Sequence, residues 1–293
     1  MSSQKPTIYL HIGRHKTGTT TIQNILSLNY EKLKSKGILY PKTGRVGYLQ
    51  INHHGLFKST KRGVNFASEL NTEAINDLIK EIQEARVKHI ILSSEIFSRL
   101  DVKEKLLNQF KYSVDANFKI IVYLRKQSSF LISSYAERLK QGVVKFNDNI
   151  LDLNLQLDYG GFLDKYISVF GKDNICVSIF EDSLKMGLFS DFCNNVNIEH
   201  CDQYVLPDKP LNEKHCWGYL YFISRFNTNS LIFRLLSFSR FQAFFNAFFV
   251  IVAPGKPPLN GEQIKALDDS YTTKNRVLSE TFLGKTKIET WEN

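Results

Sequence analysis

The sequence predicts an α/β fold in which a parallel sheet is covered by helices on both faces. The prediction depends on three short runs of apolar and β-branched residues, at residues 7–12, 88–94 and 118–124, which have the composition of fully buried strands. Segments with the apolar spacing of a helix separate these runs. This alternation is typical of a parallel sheet whose ligands lie at the carboxyl ends of the strands.

The first strand and the first helix are joined by a glycine-rich loop. The strand, residues 7–12 (TIYLHI), stops at Gly13. A helix is expected over residues 19–36, where apolar side chains recur at helical spacing until Gly37 ends the pattern. This part of the chain therefore predicts a strand, a loop and a helix in direct succession.

The later elements repeat the pattern. Charged helical segments at residues 72–86 and 102–110 precede the second and third strands, and a further strand is expected at residues 174–180 (NICVSIF). With 293 residues, of which 43% are hydrophobic, the chain is long enough to bury one large core. We expect one domain over residues 1–293.

The charge of the chain indicates an anionic ligand or surface. The formal net charge is +9 and the pI is about 9.2, which suits a nucleotide, a polysaccharide or a membrane surface. Nucleic acid is not expected, because the basic residues are scattered and form no known binding module. The four cysteines have no CxxC spacing, and the apolar stretch near the N-terminus is too short for a secretory signal, so we expect reduced thiols and a cytoplasmic location.

The loop HIGRHKTGTT, residues 11–20, carries the clearest chemical signal. Gly13 and Gly18 have the spacing of a Walker A loop, but the lysine, Lys16, precedes the second glycine instead of following it. Backbone N–H groups at the start of the next helix should still face an anion. A lysine inside the loop lies beside the terminal group and the bridging oxygen, which suits a transferred group that requires no metal, such as a sulfuryl group.

This loop resembles the 5′-phosphosulfate-binding loop of the sulfotransferases that use 3′-phosphoadenosine-5′-phosphosulfate (PAPS), and its HKTGTT form is similar to that of the bacterial branch acting on cell-surface carbohydrates. The resemblance implies a P-loop-like three-layer domain of the sulfotransferase type, a carbohydrate or glycolipid acceptor, and no metal. It also implies that the donor is bound by His15, Lys16, Thr17, Gly18, Thr19 and Thr20. The side chain of His15 could equally point away from the ligand.

A second family signature binds the 3′-phosphate of the donor. It consists of an arginine at a strand end and a serine eight residues further on, which correspond to Arg125 and Ser133 in this chain. The resemblance extends more weakly over residues 157–181 and 210–220 and over the C-terminal helix. It leaves out residues 45–71 and 224–258, which we expect to be insertions that determine acceptor specificity.

Transfer to a hydroxyl needs a general base, and Glu95 is the expected one. It follows the second strand, which should neighbour the first and open onto the cleft beside Lys16. The alternative is that Glu95 caps the next helix. His53 and His54 are rival bases, although a histidine pair in a loop more often binds the acceptor, and no metal-ligand spacing surrounds them. His11, inside the first strand, is expected to be a core histidine.

Residues 230–254 (SLIFRLLSFSRFQAFFNAFFVIVAP) contain seven phenylalanines and two arginines but no acidic residue. Polar residues interrupt the stretch, so it is not expected to span a bilayer. Core packing or a dimer interface is one interpretation. The other is a basic aromatic helix lying on an anionic membrane, at its inner face, where it would suit a lipid-linked acceptor.

Two other functions remain open at this point. One is a small-molecule or nucleotide kinase with a rearranged phosphate loop, in which Glu95 would hold Mg²⁺. The other is a nucleotide-binding scaffold without turnover.

Overall fold

The structure of the protein is a computed structural model that describes residues 5–47, 49–58, 69–99, 102–153, 155–207, 215–226, 228, 230–236 and 239–292, without the side chains of residues 239 and 240. The strands are β1 (Thr7–His11), β2 (Ile38–Leu39), β3 (His89–Ser93), β4 (Asn117–Leu124) and β5 (Ile175–Ile179). The α-helices are α1 (Thr19–Leu28), α2 (Tyr30–Ser35), α3 (Thr72–Ala85), α4 (Glu104–Ser113), α5 (Gln127–Lys140), α6 (Tyr159–Phe170), α7 (Phe180–Met186), α8 (Leu188–Asn195), α9 (Trp217–Ile223), α10 (Leu231–Leu236), α11 (Ser239–Val252), α12 (Gly261–Asp269), α13 (Thr272–Phe282) and α14 (Glu289–Glu292).

The five strands form one parallel sheet in the order β2–β3–β1–β4–β5. β1 is therefore central, with β3 on one side and β4 on the other. The four predicted strands are confirmed with end shifts of one residue. β2 was not predicted, because a two-residue strand carries no periodicity that a sequence pattern could reveal.

Helices cover both faces of the sheet, which confirms the predicted three-layer α/β class. Alternate residues of each strand point to opposite faces. Ile8 and Leu10 belong to a core cluster with side chains of α3, α4 and α6, whereas Tyr9 belongs to a second cluster with side chains of α1 and α8. Both clusters are buried, so the central strands contact apolar side chains on both sides, as their composition predicts.

The predicted helix over residues 19–36 is divided at Asn29. The Asn29 side chain donates through Nδ2 to the Ile25 carbonyl oxygen at 2.8 Å and to the Val205 carbonyl oxygen at 2.9 Å, and its Oδ1 accepts from the Val205 N–H at 2.9 Å. An asparagine that bonds nearby backbone groups competes with the helical pattern. Its hydrogen bonds with Val205 join it to a residue 176 positions away, which no local pattern indicates.

The chain divides into two compact units. The first comprises Met1–Arg125, Asp158–Leu211 and Lys274–Asn293 and contains the sheet, and the second comprises Lys126–Leu157 and Asn212–Thr273. The second unit has its own core, built from α5, α9, α10, α11 and α12. The single domain expected over residues 1–293 stays a prediction.

The two predicted insertions are described in part. In the first, the backbone forms isolated bridges between Val46 and Asn52 and between Phe57 and Leu70, while residues 48 and 59–68 lie outside the described residues. The second, residues 224–258, contains α10 and α11, and residues 227, 229, 237 and 238 lie outside the described residues. Within the described ranges, no helix has the length and apolar character needed to cross a membrane.

Candidate active site

The glycine loop lies at the carboxyl end of the central strand and leads into α1. Its backbone has positive φ angles at Gly13 (30°), Lys16 (65°) and Gly18 (73°). A Cβ atom at Gly18 would lie 2.3 Å from Leu188 Cδ2, and one at Gly13 would lie 2.7 Å from Thr19 Cγ2. The positive φ angles and these close contacts with the protein's own side chains favour glycine at both positions.

The loop threonines hold the loop together. The Thr17 hydroxyl donates to the Arg14 carbonyl oxygen at 2.7 Å, and the Thr19 hydroxyl donates to the same oxygen at 3.3 Å. Both side chains are buried, whereas Thr20 is half-buried. A ligand would meet Thr17 and Thr19 through their backbone N–H groups, which precede the first helical hydrogen bond, from the Thr21 N–H to the Gly18 carbonyl oxygen.

Arg14 is a loop residue that sequence reasoning missed. Its side chain is only 5% exposed, and its guanidinium lies 4.9 Å from the Tyr159 ring centroid and 4.4 Å from that of Phe162. Burial lowers the pKa of Arg14 from its ordinary value, while the two nearby tyrosines, Tyr159 and Tyr166, oppose the shift. An arginine stays charged even so, and this cation is buried against two aromatic rings of α6.

Arg125 comes directly after β4, next to the loop. Its Nη1 donates to the Lys16 carbonyl oxygen at 3.0 Å, and its Nε lies 3.9 Å from Glu181 Oε1. Burial lowers the pKa of Arg125, and Glu181 opposes that shift. Ser133, its predicted partner on the 3′-phosphate, is half-buried in α5 and belongs to the second unit. The convergence of Arg125 and Ser133 on one phosphate stays a prediction.

Glu95 comes directly after Ser94, beyond the end of β3, on the other side of the loop. The helix-capping role belongs to Ser94, whose Oγ accepts from the Ile96 N–H at 3.3 Å. The carboxylate of Glu95 instead contacts Gln23 Nε2 at 3.5 Å and His54 Nε2 at 3.6 Å. Burial raises the pKa of Glu95, and the hydrogen bonds from its own backbone and from Gln23 oppose the rise.

His54 is a direct neighbour of Glu95 that is still partly accessible. Its Nδ1 lies 2.8 Å from Ser94 Oγ. Burial lowers the pKa of His54 to about 4, and the nearby charges of His15 and Arg99 act in the same direction. His54 is therefore neutral near pH 7, and His15, an exposed loop residue, is close enough to influence it.

His53 and His11 are scaffold histidines. His53 is completely buried; its Nδ1 accepts from the Ser93 N–H at 3.1 Å, and its Nε2 donates to the Pro41 carbonyl oxygen at 3.0 Å. Both ring nitrogens of His53 are thus occupied by backbone groups. Of the two histidines predicted to contact the acceptor substrate, His54 is the one that is partly accessible. His11 is also fully buried, with Nδ1 2.8 Å from Ser93 Oγ, as expected for a core histidine.

Three adjacent strands thus bring their chemical groups to one edge of the sheet: Glu95 beyond β3, the glycine loop after β1, and Arg125 after β4. The Ser94 N–H donates to the His11 carbonyl oxygen at 3.1 Å, which continues the pairing of β1 and β3 up to the site. The arrangement combines a glycine loop at a helix N-terminus with a carboxylate of raised pKa. It can hold an anion and receive a proton beside it.

The opposite end of the sheet, at the amino ends of the strands, carries none of the predicted site residues. A hollow of about 400 Å³ at the amino ends of β1 and β4 is lined by Thr7, Asn117, Phe118 and neighbouring side chains, and it includes none of the predicted site residues. Among the residues that the structure describes, no three His, Cys, Asp or Glu side chains form a cluster that could hold a metal ion.

Comparisons with known proteins find similarity at the level of solved structures. No protein-family model and no curated protein matches the chain. A sulfotransferase from Alicyclobacillus acidocaldarius is 15% identical, with a TM-score of 0.43 over 83% of this chain and 96% of that one. The sulfotransferase domain from the curacin biosynthetic pathway is 12% identical, with a TM-score of 0.42 over 92% of this chain and 98% of that one.

A third structure, retinol dehydratase in complex with androsterone and the inactive cofactor PAP, is 14% identical, with a TM-score of 0.33 over 68% of this chain and 61% of that one. Similarity this remote carries no functional argument.

Proposed function

We propose that this protein is a sulfotransferase that moves a sulfuryl group from PAPS to a carbohydrate hydroxyl by direct in-line displacement, without a metal. One observation carries the proposal: a glycine loop with an internal lysine ends the central strand, and a buried carboxylate and an arginine follow the two neighbouring strands. Each of these groups corresponds to one requirement of the reaction.

The loop suits the phosphosulfate of the donor. Glycine at positions 13 and 18 permits the positive φ angles of the loop, and the N-terminus of the ten-residue helix α1 favours negative charge. Lys16 supplies a cation for the bridging oxygen and the terminal group. Arg125, next to the loop, is the proposed ligand of the 3′-phosphate.

Glu95 suits the acceptor side. A general base is most effective when its pKa lies near the working pH, and burial moves the pKa of Glu95 upward, in that direction. Its side chain is 14% exposed, so a hydroxyl can reach it. His54, neutral and adjacent, is a proposed contact for the acceptor.

PAPS supplies the sulfuryl group: the bond between sulfur and the 5′-phosphate oxygen breaks as the acceptor oxygen bonds to sulfur. Glu95 receives the hydroxyl proton. Lys16 and the backbone N–H groups of Thr19 and Thr20 stabilise the negative charge that develops on the leaving phosphate. Lys16, Arg14 and Arg125 offset the donor's negative charge, which supports a reaction without a metal.

We propose a carbohydrate hydroxyl as the acceptor. It is supported by the HKTGTT form of the loop and by the polar neighbours of Glu95. A cytoplasmic location stays a prediction from the sequence.

The test combines ligand binding with turnover. Calorimetry in EDTA should detect binding of 3′,5′-adenosine bisphosphate, and radiolabelled sulfate should pass from PAPS to at least one member of a panel of surface glycans. ATP binding that requires Mg²⁺, without affinity for the bisphosphate, would identify a kinase and reject the proposal. Bisphosphate binding without a labelled product on any acceptor would identify a scaffold.

A further inference from the structure

Helix α11 packs into the second unit with only one of its faces. The Phe249 ring lies 5.1 Å from the Phe222 ring and 6.4 Å from the Tyr219 ring, measured between centroids. On the same face, Asn246 Oδ1 accepts from the Cys216 N–H at 2.6 Å. The C-terminal end of the helix is held at Gly218, whose N–H donates to the Pro254 carbonyl oxygen at 2.8 Å.

The opposite face of α11 exposes large apolar side chains. Phe241, Phe244, Phe248 and Ile251 recur at intervals of three, four and three residues, which places them on one side of a helix. They are 48%, 66%, 47% and 83% exposed, respectively. We call these four residues the outer stripe. Three exposed phenylalanines on one helix face exceed the scattered apolar residues of an ordinary surface and indicate an interaction site.

The preceding helix extends the apolar surface. In α10, Phe233 and Leu236 are buried in the core of the second unit, whereas Leu231 and Ile232 are 71% and 51% exposed. α10 packs against α11. The apolar surface therefore spans two consecutive helices and does not depend on the orientation of one side chain.

The charge of this region selects among the surfaces that could cover it. From Lys214 to Gly261 the sequence contains five basic residues, Lys214, Arg225, Arg234, Arg240 and Lys256, and no Asp or Glu. A two-fold interface between copies would bring two segments of this composition together, with cations in both and no carboxylate in either. An anionic lipid surface, in contrast, attracts each of these cations.

The length of α11 decides how it would meet a bilayer. Its 14 residues span about 21 Å, which is shorter than the hydrocarbon core of a membrane. A helix of this length with exposed phenylalanines and nearby cations lies in the interfacial plane, with its rings at the boundary of headgroups and acyl chains.

We propose that the outer stripe and the exposed side of α10 bind the surface of a membrane that contains anionic phospholipid. Arg234 and Lys256, both exposed, contact the headgroups. This interaction does not rest on the sulfotransferase activity, which can be assayed without vesicles.

Vesicle flotation of the full chain tests the proposal. The protein should float with vesicles of phosphatidylcholine mixed with phosphatidylglycerol, more weakly with phosphatidylcholine alone, and less as salt is raised.

The double variant Phe244→Ser, Ile251→Ser should reduce partitioning about tenfold or more, because two large apolar side chains no longer enter the interface. Arg234→Gln combined with Lys256→Gln should reduce binding to the anionic vesicles only.

The matched control is Tyr112→Ser, at an aromatic residue of α4 that is 79% exposed and outside the apolar surface. It should float like the parent, and circular dichroism should show parent-like helix content for every variant. Failure of the parent to float, or equal flotation of the parent and the Phe244, Ile251 variant, overturns the proposal. A concentration-dependent dimer that this variant abolishes, without vesicle binding by the parent, would instead identify an interface between copies.

Discussion

Lys16 is the residue on which the proposed transfer depends most directly, because its cation lies in the loop that would hold the leaving phosphate. Lys16→Ala should lower kcat about 10²-fold or more, as expected for the loss of one well-placed stabilising group. Lys16→Asn is a useful companion, since asparagine tolerates the positive φ at this position. Single-turnover sulfate transfer measures both variants.

The control is Lys34→Ala, at an exposed lysine of α2, which should transfer sulfate at the parent rate. If Lys16→Asn also retains the parent rate, the lysine has no role in the chemical step.

Glu95 should determine the acid limb of the pH profile. The carboxylate must be deprotonated to act as a base, and burial raises its pKa, so kcat/KM should fall as the pH is lowered through that raised value. His54 has a pKa of about 4 and stays neutral over the range above it. Glu95→Gln should remove this limb and lower kcat about 10²- to 10⁴-fold.

The rate measurements should extend over buffers of constant ionic strength. An unchanged acid limb in Glu95→Gln would assign the base to another group.

Arg125 has two separable roles. It donates to the Lys16 carbonyl oxygen, and it is the proposed ligand of the 3′-phosphate. If it binds that phosphate, Arg125→Ala should weaken 3′,5′-adenosine bisphosphate about tenfold or more while 5′-AMP binds nearly as before. Calorimetry measures the ratio of the two dissociation constants. Equal weakening of both ligands would mean that Arg125 only supports the loop.

At the scale of elements, helix α1 connects the glycine loop with Glu95, the proposed base. Its N-terminus faces the loop, and one turn further Gln23, which is buried, donates through Nε2 to Ser93 Oγ at 3.0 Å and contacts Glu95 Oε2 at 3.5 Å. A hydrogen bond to a carboxylate stabilises its charged form, and the Gln23 amide accordingly lowers the pKa of Glu95 against the effect of burial.

Gln23→Leu should therefore move the acid limb of kcat/KM to higher pH. The shift identifies a positioning role, because a merely structural defect would lower the rate at every pH. Asn24→Leu, which also replaces a side-chain amide by leucine one position along α1, is the control and should leave the limb in place. If the acid limb of Gln23→Leu lies at the same pH as that of the parent, Gln23 does not influence the pKa of the base.

At the scale of the whole molecule, the buried histidines make stability depend on pH. Burial lowers the pKa of His11 to about 3 and that of His53 to about 4. The unfolded chain, in which these rings titrate near 6.5, then binds more protons than the folded chain as the pH falls below about 6.5. The contribution of these two rings to stability is thus greatest above that pH and is lost progressively on acidification.

Protonation of each of these histidines in the unfolded chain should lower the free energy of unfolding by about 2 kcal/mol between pH 7 and pH 5. Urea unfolding followed by circular dichroism measures the loss. His53→Gln keeps a hydrogen-bond donor and an acceptor and should make the free energy of unfolding depend less steeply on pH. His200→Asn, at an exposed histidine, should leave this pH dependence unchanged. A free energy of unfolding that rises between pH 7 and pH 5 would contradict the expectation.

Much of the architecture was predictable because its signals are local. The buried strands are continuous apolar runs, the loop has two glycines at fixed spacing, and the order of β3 beside β1 follows from the usual connections of a parallel sheet. The placement of Glu95 at the end of β3 followed from the same pattern. The break of the first helix at Asn29 and the strand β2 were missed, since each depends on partners that are distant in the chain.

The sequence by itself determined the class of fold, the glycine loop between β1 and α1, and the strand ends that carry Glu95 and Arg125. Only the tertiary structure decided that Arg14 is buried against α6, that Gln23 and His54 flank Glu95, that His53 is buried, and that α11 exposes one of its apolar faces. The physical reason is that periodicity and turn chemistry act over a few residues, whereas burial and side-chain contacts depend on elements brought together from distant parts of the chain.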